Sequence, residues 1–514
     1  MNERIFEDPM NPIFNPLDIH NEKLRDNVFP GNHVNPKPQS KYNLVVIGAG
    51  VAGLVSSSIG AGLGGKVALI ERSAMGGDCL NVGCVPSKAI ISAARARAAV
   101  TAAKDFGIQV PEGTSQDFAA VMERMRRLRS GISPHDSVKR FQELGIDVFL
   151  GQARFIDSDT VEVDGKFLIK FSKAIIATGA RASAPKISGL DSVDYLTNES
   201  LFSLTELPKR FGVIGAGPVG TEMAQSFAIF GSEVTLITSK RGLLPKEDRD
   251  AAKVVQDRLE RDGVRVVSGS HQLVVSKHSS GSILLKYDHP SDGYQIEVDQ
   301  LLVAAGRAPN VEGLDLEKVG VKYSARGVQI DDYFRTANPK IYAAGDICSS
   351  YQFTHAADFM ARAVVRNALF KGRSKLSSLV IPWATYTSPE VAQIGWTAQQ
   401  AEEHGTPVDT FTQPMSGVDR AILEGETEGF VRVHVKKGTD RIVGATIVAP
   451  NAGDMIGVFS LAMTQGIGLG SIANAIHPYP TQAEAIRKTG DLYNKTRFTP
   501  TVAKWFKRWL AWTR

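Results

Sequence analysis

The sequence predicts an α/β protein with two Rossmann-like domains and a C-terminal α+β domain. Three observations carry this prediction: a strand, glycine loop and helix begin at residue 42, a second copy begins at residue 210, and no third copy follows residue 376. In the first copy, the apolar strand Tyr42–Ile47 runs into the loop 48–53, and the next strand ends in Glu71. This order of elements is typical of dinucleotide-binding units.

Each glycine of the first loop has a separate role in such a unit. Gly48 makes the tight turn, Gly50 admits a pyrophosphate, and Gly53 allows the helix to pack closely on the strand. Glu71 is expected to bind the ribose hydroxyls. The alternative is a glycine turn that binds no ligand.

The second copy has the strand Arg210–Ile214 and the loop glycines Gly215, Gly217 and Gly220. Its next strand, which ends at residue 238, is not followed by an acid. It is followed instead by Ser239, Lys240 and Arg241. Hydroxyl and cationic groups accommodate a 2′-phosphate, which favours NADPH over NADH. Alternatively, these charges are ordinary surface groups.

Three further strands end in small-residue turns that bring backbone close to a ligand. The strand 173–177 ends in Thr178-Gly179, the strand 300–305 in Gly306-Arg307, and the strand 341–344 in Gly345-Asp346. The last of these turns offers a carboxylate that can accept a hydrogen bond from a ribityl-type hydroxyl.

Two of the three cysteines lie five positions apart, at Cys79 and Cys84, close after the first loop. A disulfide needs Cα atoms roughly 5–6 Å apart, and a regular helix does not align positions i and i+5. Gly83 and Pro86 make an irregular turn plausible, and a helix that begins there activates a thiolate through its dipole. Spacing alone leaves open a redox-active pair or two unrelated buried thiols.

Composition excludes several classes of protein. The chain has 514 residues, 43% of them hydrophobic and 22% charged, which indicates a large globular core. A net charge of +5 without a basic motif argues against nucleic-acid binding. Three cysteines are too few for a secreted disulfide framework, and the N-terminus lacks an apolar signal core, so we expect cytoplasmic residence. We expect no resident metal.

Three segments have no part in these motifs: residues 1–41, the stretch 124–129 and the tail 499–514. Residues 1–41 are rich in Pro and Asn and predict an arm, either a disordered leader or, since it contains Ile5, Phe6 and Leu17, a segment that lies along the folded surface. The basic stretch 124–129 predicts a solvated helix face.

The tail 499–514 is basic and rich in tryptophan. Trp505, Trp509 and Trp512 fall on one helical face. This face packs either on the protein's own body or dimer partner, which we favour, or weakly on a membrane surface, which would make the protein peripheral.

With these motifs together, the chain resembles the flavin-dependent pyridine nucleotide–disulfide oxidoreductases, a family that includes dihydrolipoamide dehydrogenase, glutathione reductase and mercuric reductase. The resemblance covers residues 42–498. The run from Gly76 to Lys88, the two glycine loops and the turns at 177–179, 306–310 and 344–346 carry it.

The resemblance implies FAD and a nicotinamide nucleotide as cofactors and a homodimer as the assembly. The first loop, Gly77, Lys88 and Asp346 would hold FAD, and the second loop the nicotinamide nucleotide. Glu222 would pair with Lys88 near the flavin. Cys79 would be the thiol that meets the acceptor, and Cys84 the thiol that faces the flavin. The acceptor would be a small molecule, a disulfide or a metal ion.

The chain departs from the family near its C-terminus. Dihydrolipoamide and glutathione enzymes carry His-Pro-Thr-x-x-Glu there, in which the histidine serves as base for the partner subunit's thiol. Here Tyr479 occupies the base position, His477 lies two residues upstream, and Glu484 is retained. Tyrosine, with a pKa near 10, is a poor base at neutral pH. Mercuric reductases also carry tyrosine there.

Two features of mercuric reductases are missing, because residues 1–41 hold no cysteine and the last residues hold no cysteine pair. We therefore expect inefficient delivery of mercuric ion. The function predicted is an NADPH-dependent disulfide or metal-ion reductase of the mercuric reductase type. The alternatives are a dihydrolipoamide dehydrogenase-like enzyme that uses His477, and a flavin-binding redox sensor or membrane-associated partner protein.

The predicted domains are the arm (1–41), a discontinuous FAD-binding domain (42–190 and 310–375), an NAD(P)-binding domain (191–309), a dimerisation domain (376–498) and the tail (499–514).

Overall fold

The computed structural model describes residues 12–269, 271–288 and 294–514. They form two compact units. Unit 1 consists of the described residues of 1–216, 226–240 and 267–379, and unit 2 consists of residues 217–225, 241–266 and 380–514. Ile5 and Phe6 of the arm lie outside the described residues. The domain boundaries given above stay a prediction.

The helices, numbered in chain order, are α1 (Ile19–Val28), α2 (Val51–Gly62), α3 (Gly77–Asn81), α4 (Cys84–Ala102), α5 (Phe118–Ile132), α6 (Val138–Glu143), α7 (Pro218–Phe230), α8 (Arg249–Arg261), α9 (Thr354–Phe370), α10 (Ala398–Glu403), α11 (Asp419–Leu423), α12 (Ala452–Met455), α13 (Gly457–Gln465), α14 (Leu469–Ala473), α15 (Glu484–Arg497) and α16 (Pro500–Trp512).

The strands are β1 (Tyr42–Ile47), β2 (Val67–Glu71), β3 (Asp147–Leu150), β4 (Ala153–Asp157), β5 (Thr160–Val163), β6 (Phe167–Ile176), β7 (Ala180–Ala182), β8 (Arg210–Ile214), β9 (Glu233–Ile237), β10 (Val264–Val267), β11 (His271–Lys277), β12 (Ile283–Asp288), β13 (Tyr294–Val298), β14 (Gln300–Val303), β15 (Arg307–Pro309), β16 (Tyr323–Ser324), β17 (Gly327–Val328), β18 (Ile341–Ala343), β19 (Pro382–Thr385), β20 (Glu390–Gly395), β21 (Val408–Pro414), β22 (Phe430–Lys436) and β23 (Ile442–Ala449).

The largest sheet of unit 1 has the strand order β3-β2-β1-β6-β5-β4, and β18 also pairs with β6. Strands β1, β2, β3 and the C-terminal half of β6 run parallel, with Val45 of β1 opposite Ala68 of β2 and Ala174 of β6. β1 from Leu44 to Ile47 and β2 from Val67 to Ile70 are apolar and buried, because both faces of a parallel sheet are covered. β1, β2 and β18 therefore end at the same edge, where the first glycine loop, Glu71 and Gly345-Asp346 follow.

A second parallel arrangement in unit 1 places β8 between β9 and β14. Its core contains Ile214, Ile237 and Leu301, and it continues onto the antiparallel sheet β11-β12-β13. Unit 2 contains the antiparallel sheet β19-β20-β23-β22-β21, packed on α13 and α15 through residues such as Val433 and Phe459. The predicted α/β class with a C-terminal α+β part is confirmed.

The described part of the arm is ordered and lies along unit 1. It contains the helix α1, whose Asp18 cap accepts hydrogen bonds from the N–H groups of His20 and Asn21. Leu24 and Val28 are fully buried. Their burial agrees with the prediction that the arm lies on the folded surface, but Leu17, one of the residues from which it was made, is 63% exposed and does not pack there.

The prediction of a solvated face at 124–129 is wrong for two of its arginines. Arg126 and Arg129, on α5, are buried. Arg126 Nε donates to Asp18 Oδ2 at 2.6 Å, and Arg129 Nη2 donates to Asn21 Oδ1 at 2.8 Å. The arm covers this face of α5. Asp18 neutralises the charge of Arg126, and the Asn21 amide oxygen satisfies a donor of the buried Arg129.

The tail forms α16, which begins at Pro500 after the Thr499 cap. Its three tryptophans are between 48% and 78% exposed, so packing on the chain's own body is not observed for this face. Within the described residues, no helix combines the length and apolar character needed to cross a membrane.

Candidate active site

The first glycine loop makes its tight turn at Gly48, where φ is +103°. A Cβ at this position would lie 2.4 Å from the Ala177 carbonyl oxygen, so only glycine fits. Ala177 precedes the predicted turn Thr178-Gly179, and the loop therefore lies directly against that turn.

Glu71, at the end of β2, lies beside this loop. Its Oε2 accepts from the Ala49 N–H at 2.6 Å, and its Oε1 accepts from the Ser73 N–H at 2.8 Å. Burial raises the pKa of the carboxyl, and these two backbone donors partly offset the effect. The acid is thus held rigidly at the position that the sequence predicts for ribose recognition.

The two cysteines lie on consecutive helices, Cys79 within α3 and Cys84 as the first residue of α4. Gly83 joins the helices, and a Cβ there would lie 2.7 Å from the Asp78 carbonyl oxygen. This close approach of the backbone folds the chain back and brings two side chains together that a continuous helix would separate.

The two sulfurs are thiols in this structure and differ in environment. The hydrogen bond between the Cys79 and Cys84 side chains, followed by burial, raises the pKa of the Cys79 thiol. Cys84 lies at the N-terminus of a 19-residue helix, whose dipole favours negative charge there. Cys84 Sγ lies 3.3 Å from Thr354 Oγ1 at the start of α9.

Three side chains that the sequence analysis did not single out for this site hold the turn. Asn81 Nδ2 donates to the carbonyls of Met75 and Gly77 at 3.0 and 2.9 Å. Arg129 Nη1 donates to the Asn81 carbonyl at 2.5 Å, and Asn198 Nδ2 donates to the Val82 carbonyl at 3.2 Å. Thr354 was also missed. Arg129 and Asn198 lie 48 and 116 positions from their acceptors, so no local pattern could have indicated them.

Arg307 joins three of the motifs. Its Nη2 lies 2.8 Å from Asp78 Oδ2, 3.0 Å from the Ala180 carbonyl oxygen and 3.3 Å from Asp346 Oδ2. Burial raises the pKa of Asp346, and the Arg307 guanidinium partly offsets it. Asp78, next to Cys79, and Asp346, which follows β18, are therefore both paired with the Arg307 guanidinium.

The turn Thr178-Gly179 contacts the segment after β15. Thr178 Oγ1 donates to the Asn310 carbonyl at 2.8 Å, and the Asn310 N–H donates to the Gly179 carbonyl at 3.0 Å. The adjoining strands β7 and β15 pair antiparallel, with Arg307 opposite Ala182. Gly306 lies immediately before this strand pair. In unit 1 the structure thus gathers the first glycine loop, the cysteine turn and the three predicted strand-end turns at one place.

The second glycine loop begins like the first. Gly215 has φ of +109°, and its N–H donates to the Ile237 carbonyl at 3.0 Å. Gly217 and Gly220 belong to unit 2. Ser239, Lys240 and Arg241 follow β9 and are exposed, so they are accessible to a ligand in solution.

Lys88 and Glu222 belong to different units. Lys88 lies on α4 one turn after Cys84, in unit 1. Glu222 lies on α7, in unit 2, where it is buried and its Oε1 accepts from the Tyr386 N–H at 2.8 Å. Their pairing stays a prediction.

The C-terminal candidates all lie in unit 2. Tyr479 is 70% exposed, and its hydroxyl donates to Asp419 Oδ2 at 2.8 Å. This hydrogen bond raises the pKa of Tyr479, so even less of the tyrosinate form is available as a base at neutral pH. His477 Nδ1 lies 3.1 Å from the Ala475 carbonyl, and Glu484 Oε1 accepts from Arg487 at 2.9 Å.

The residues gathered in unit 1 fit a bound FAD. A Cβ on Gly50 would have one neighbour within 4 Å, the Gly77 Cα at 3.9 Å, so the loop leaves open space at the N-terminus of α2. Such a terminus binds phosphate through its N–H groups. Glu71 and Asp346 offer carboxylates for hydroxyl groups. In the described part of the chain, no three His, Cys, Asp or Glu side chains form a metal-binding group.

Comparison with known proteins agrees with this arrangement. Residues 42–361 match the pyridine nucleotide-disulphide oxidoreductase family, and residues 381–489 match the dimerisation domain of the same enzymes.

The relatives include two named enzyme types. A mercuric reductase of Staphylococcus aureus is 34% identical over 94% of this chain and 90% of its own. A dihydrolipoyl dehydrogenase of Geobacillus stearothermophilus is 32% identical over 87% of this chain and 95% of its own.

Among solved structures, the Cu(II) complex of the HOCl-induced flavoprotein disulfide reductase RclA from Escherichia coli is similar. It has a TM-score of 0.78 and 28% sequence identity over 88% of this chain and 100% of its own.

Two domains of one enzyme family match the chain, and relatives align with most of its length, so the family can be assigned. This chain belongs to the pyridine nucleotide-disulphide oxidoreductases, and it is a mercuric reductase-like flavoenzyme that uses FAD and NAD(P)H.

Proposed function

We propose that the enzyme oxidises NADPH and delivers the electrons, through FAD and the Cys79–Cys84 pair, to a thiophilic metal ion or a small disulfide. One observation carries the proposal: two hydrogen-bonded thiols lie beside the first glycine loop, in a chain whose base position is occupied by Tyr479.

The two thiols have different roles in this proposal. Cys84, at the start of α4, would face the flavin, and the dipole of α4 supports a thiolate at this end of the helix. Cys79 meets the acceptor. Lys88 lies one turn further along α4 and would supply positive charge near the flavin. FAD, when bound, supplies two-electron redox chemistry that the side chains lack.

Each cycle transfers two electrons through the cysteine pair. The Cys79–Cys84 disulfide breaks as it takes up two electrons and two protons, which gives the dithiol seen in this structure. An acceptor disulfide then takes the two electrons and two protons, and the Cys79–Cys84 bond forms again. With a metal ion as acceptor, the two protons go to solvent and the two thiolates give up two electrons as their disulfide forms again. One mercuric ion takes both electrons, whereas cupric ions take one each, so two of them are reduced per cycle.

The acceptor class follows from the sulfur ligands. Thiolates prefer soft metal ions, and reduction of a metal ion releases no thiolate that a general acid must protonate. Tyr479, whose pKa is raised, is compatible with such an acceptor. The similarity to mercuric reductases and to RclA, which has been solved as a Cu(II) complex, supports this choice.

A second candidate is a dihydrolipoamide dehydrogenase-like activity. It is favoured by the dihydrolipoyl dehydrogenase relatives and by His477, two residues from the base position. Oxidation of dihydrolipoamide with NAD tests it directly. A rate that falls when His477 is replaced by Gln would support it, and a negligible rate in the wild type would exclude it.

The proposal predicts distinct spectra for the two cysteine variants. NADPH added without oxygen should give the wild type a long-wavelength band from a thiolate beside the flavin. Cys79→Ser should show this band without NADPH, since Cys84 cannot form a disulfide, whereas Cys84→Ser should never show it. Both variants should lose turnover with metal ions and disulfides.

Cys348→Ala is the matched control. Burial raises the pKa of Cys348 to about 12, so it has little thiolate character, and the control should behave as the wild type. A wild type that is reduced by NADPH without the band, or a Cys79→Ser variant with full turnover, would contradict the proposal. NADPH oxidation with mercuric ion, cupric ion and small disulfides identifies the acceptor.

A further inference from the structure

Helix α16 has two faces of opposite character. At 100° per residue, Trp505, Phe506, Trp509, Leu510 and Trp512 fall within one half of its circumference. All five are exposed, and the tryptophan rings form a continuous surface: the Trp505 and Trp509 centroids lie 6.0 Å apart, and those of Trp509 and Trp512 5.3 Å apart. Contiguous exposed aromatic surface of this kind marks an interaction site.

On the opposite half of the helix every charged residue is cationic. Its charged residues are Lys504, Lys507 and Arg508, with Arg514 after the helix end, and residues 499–514 contain no acid. The helix is well formed, since Thr499 Oγ1 accepts from the Val502 N–H at 3.3 Å and Pro500 occupies the first turn.

We propose that α16 lies in the plane of a membrane surface that contains anionic lipid, with its tryptophan face among the headgroups and acyl chains. Tryptophan combines an apolar ring with an N–H donor and therefore prefers this boundary, while lysine and arginine extend to the anionic headgroups. The helix has 13 residues and anchors the enzyme to the surface without spanning the bilayer. This inference does not depend on which acceptor the reductase uses.

Charge and position favour lipid over a second copy of the chain as the occupant. The match to the dimerisation domain ends at residue 489, so α16 lies outside the part that the family shares. Two α16 helices packed through their tryptophan faces would cover those faces but would leave the eight cations of the pair without any acid of the tail to match them. An anionic surface matches both faces of the helix at once.

Flotation of the purified full-length holoenzyme with lipid vesicles tests the proposal. One vesicle type contains phosphatidylcholine with phosphatidylglycerol, and the other contains phosphatidylcholine alone. We expect the wild type to float with the anionic vesicles and much less with the neutral ones, and to be released at high salt.

Two variants separate the contributions of the faces. Trp505→Ser combined with Trp509→Ser should lower the partition coefficient at least tenfold. Lys504→Gln, Lys507→Gln and Arg508→Gln together should remove the preference for anionic vesicles. The matched control replaces the exposed Lys139, Lys322 and Arg326 by Gln elsewhere on the surface and should float as the wild type does.

Two measurements keep the result interpretable. Circular dichroism reports whether the variants fold. NADPH oxidation by the variants with a soluble acceptor should stay within twofold of the wild type. Because flotation does not require turnover, it can be interpreted even if the protein shows no reductase activity. A wild type that does not float with anionic vesicles would overturn the proposal. Loss of the dimer in the tryptophan variant, measured by light scattering, would also overturn it and assign the face to a second copy.

Discussion

Cys79 and Cys84 have the same side chain, and their surroundings make them different reagents. Cys79 shares a hydrogen bond with its partner and is partly buried, and both effects raise its pKa. Cys84 is exposed at a helix N-terminus and is close to the Thr354 hydroxyl. The difference suits a pair in which one sulfur holds negative charge and the other carries a proton to the acceptor.

The preference for NADPH is predicted to depend on exposed cations after β9. Replacing Lys240 and Arg241 by Ala removes charge-assisted hydrogen bonds to a 2′-phosphate, each worth about 1.5–3 kcal/mol. Because both interactions are lost, about 3–6 kcal/mol in all, we expect the ratio of kcat/KM for NADPH over that for NADH to fall by at least roughly 100-fold. Steady-state kinetics with both nucleotides measures it, and Lys322→Ala is the control. An unchanged ratio would mean that these residues are ordinary surface charges.

Glu247, buried in unit 2, predicts a pH dependence of stability. Burial raises its pKa from 4.5 to about 7, although Trp383 Nε1 donates to it at 2.7 Å. The folded state holds the Glu247 proton more tightly than the unfolded state does, so proton binding stabilises the fold. This contribution is complete below about pH 4.5 and is lost as the pH rises through about 7.

Glu247→Gln should remove this loss. The free energy of unfolding of the variant, relative to the wild type, should rise by up to about 3 kcal/mol between pH 4.5 and 7.5. Urea unfolding across this range measures it. The exposed Glu402→Gln serves as control, and parallel curves for the wild type and Glu247→Gln would refute the assignment.

The arm and α5 act together on the cysteine turn. Helix α1 supplies Asp18 to Arg126 and Asn21 to Arg129, and Arg129 also bonds to the carbonyl of Asn81 beside the turn. A segment that precedes the first Rossmann strand is thereby connected to the redox pair through one guanidinium.

Arg129→Met should therefore destabilise the protein by about 2–3 kcal/mol. The change leaves the Asn81 and Ile13 carbonyls and the Asn21 amide oxygen, three acceptors, without their donor. Chemical unfolding measures the loss. Arg127→Met, on the exposed face of the same helix, should change stability by less than about 0.5 kcal/mol. Equal effects of the two substitutions would contradict the role given to Arg129.

The family's dimerisation domain spans residues 381–489, which predicts the assembly of the whole molecule. We expect a homodimer of twice 55.5 kDa by light scattering. In such a dimer the segment from His477 to Glu484 would serve the partner's cysteine pair. A monomer at micromolar concentration that retained full NADPH-dependent turnover would argue against this arrangement.

The sequence by itself determined the α/β class, the two glycine loops, Glu71 and the cysteine pair, because these features are local. A tight turn needs glycine, and a buried strand needs continuous apolar residues. Both can be recognised from the residue types and their spacing along the chain. It also determined the two faces of α16, since helical periodicity is a local property.

Only the tertiary structure decided which distant groups meet. Arg129 reads as a surface charge in its basic stretch, and burial by α1 changes its role. Arg307 contacts Asp78, 229 positions away, and Thr354 contacts Cys84, 270 positions away. Such contacts depend on how strands and helices pack around a shared sheet edge, and side-chain spacing along the chain carries no record of that packing.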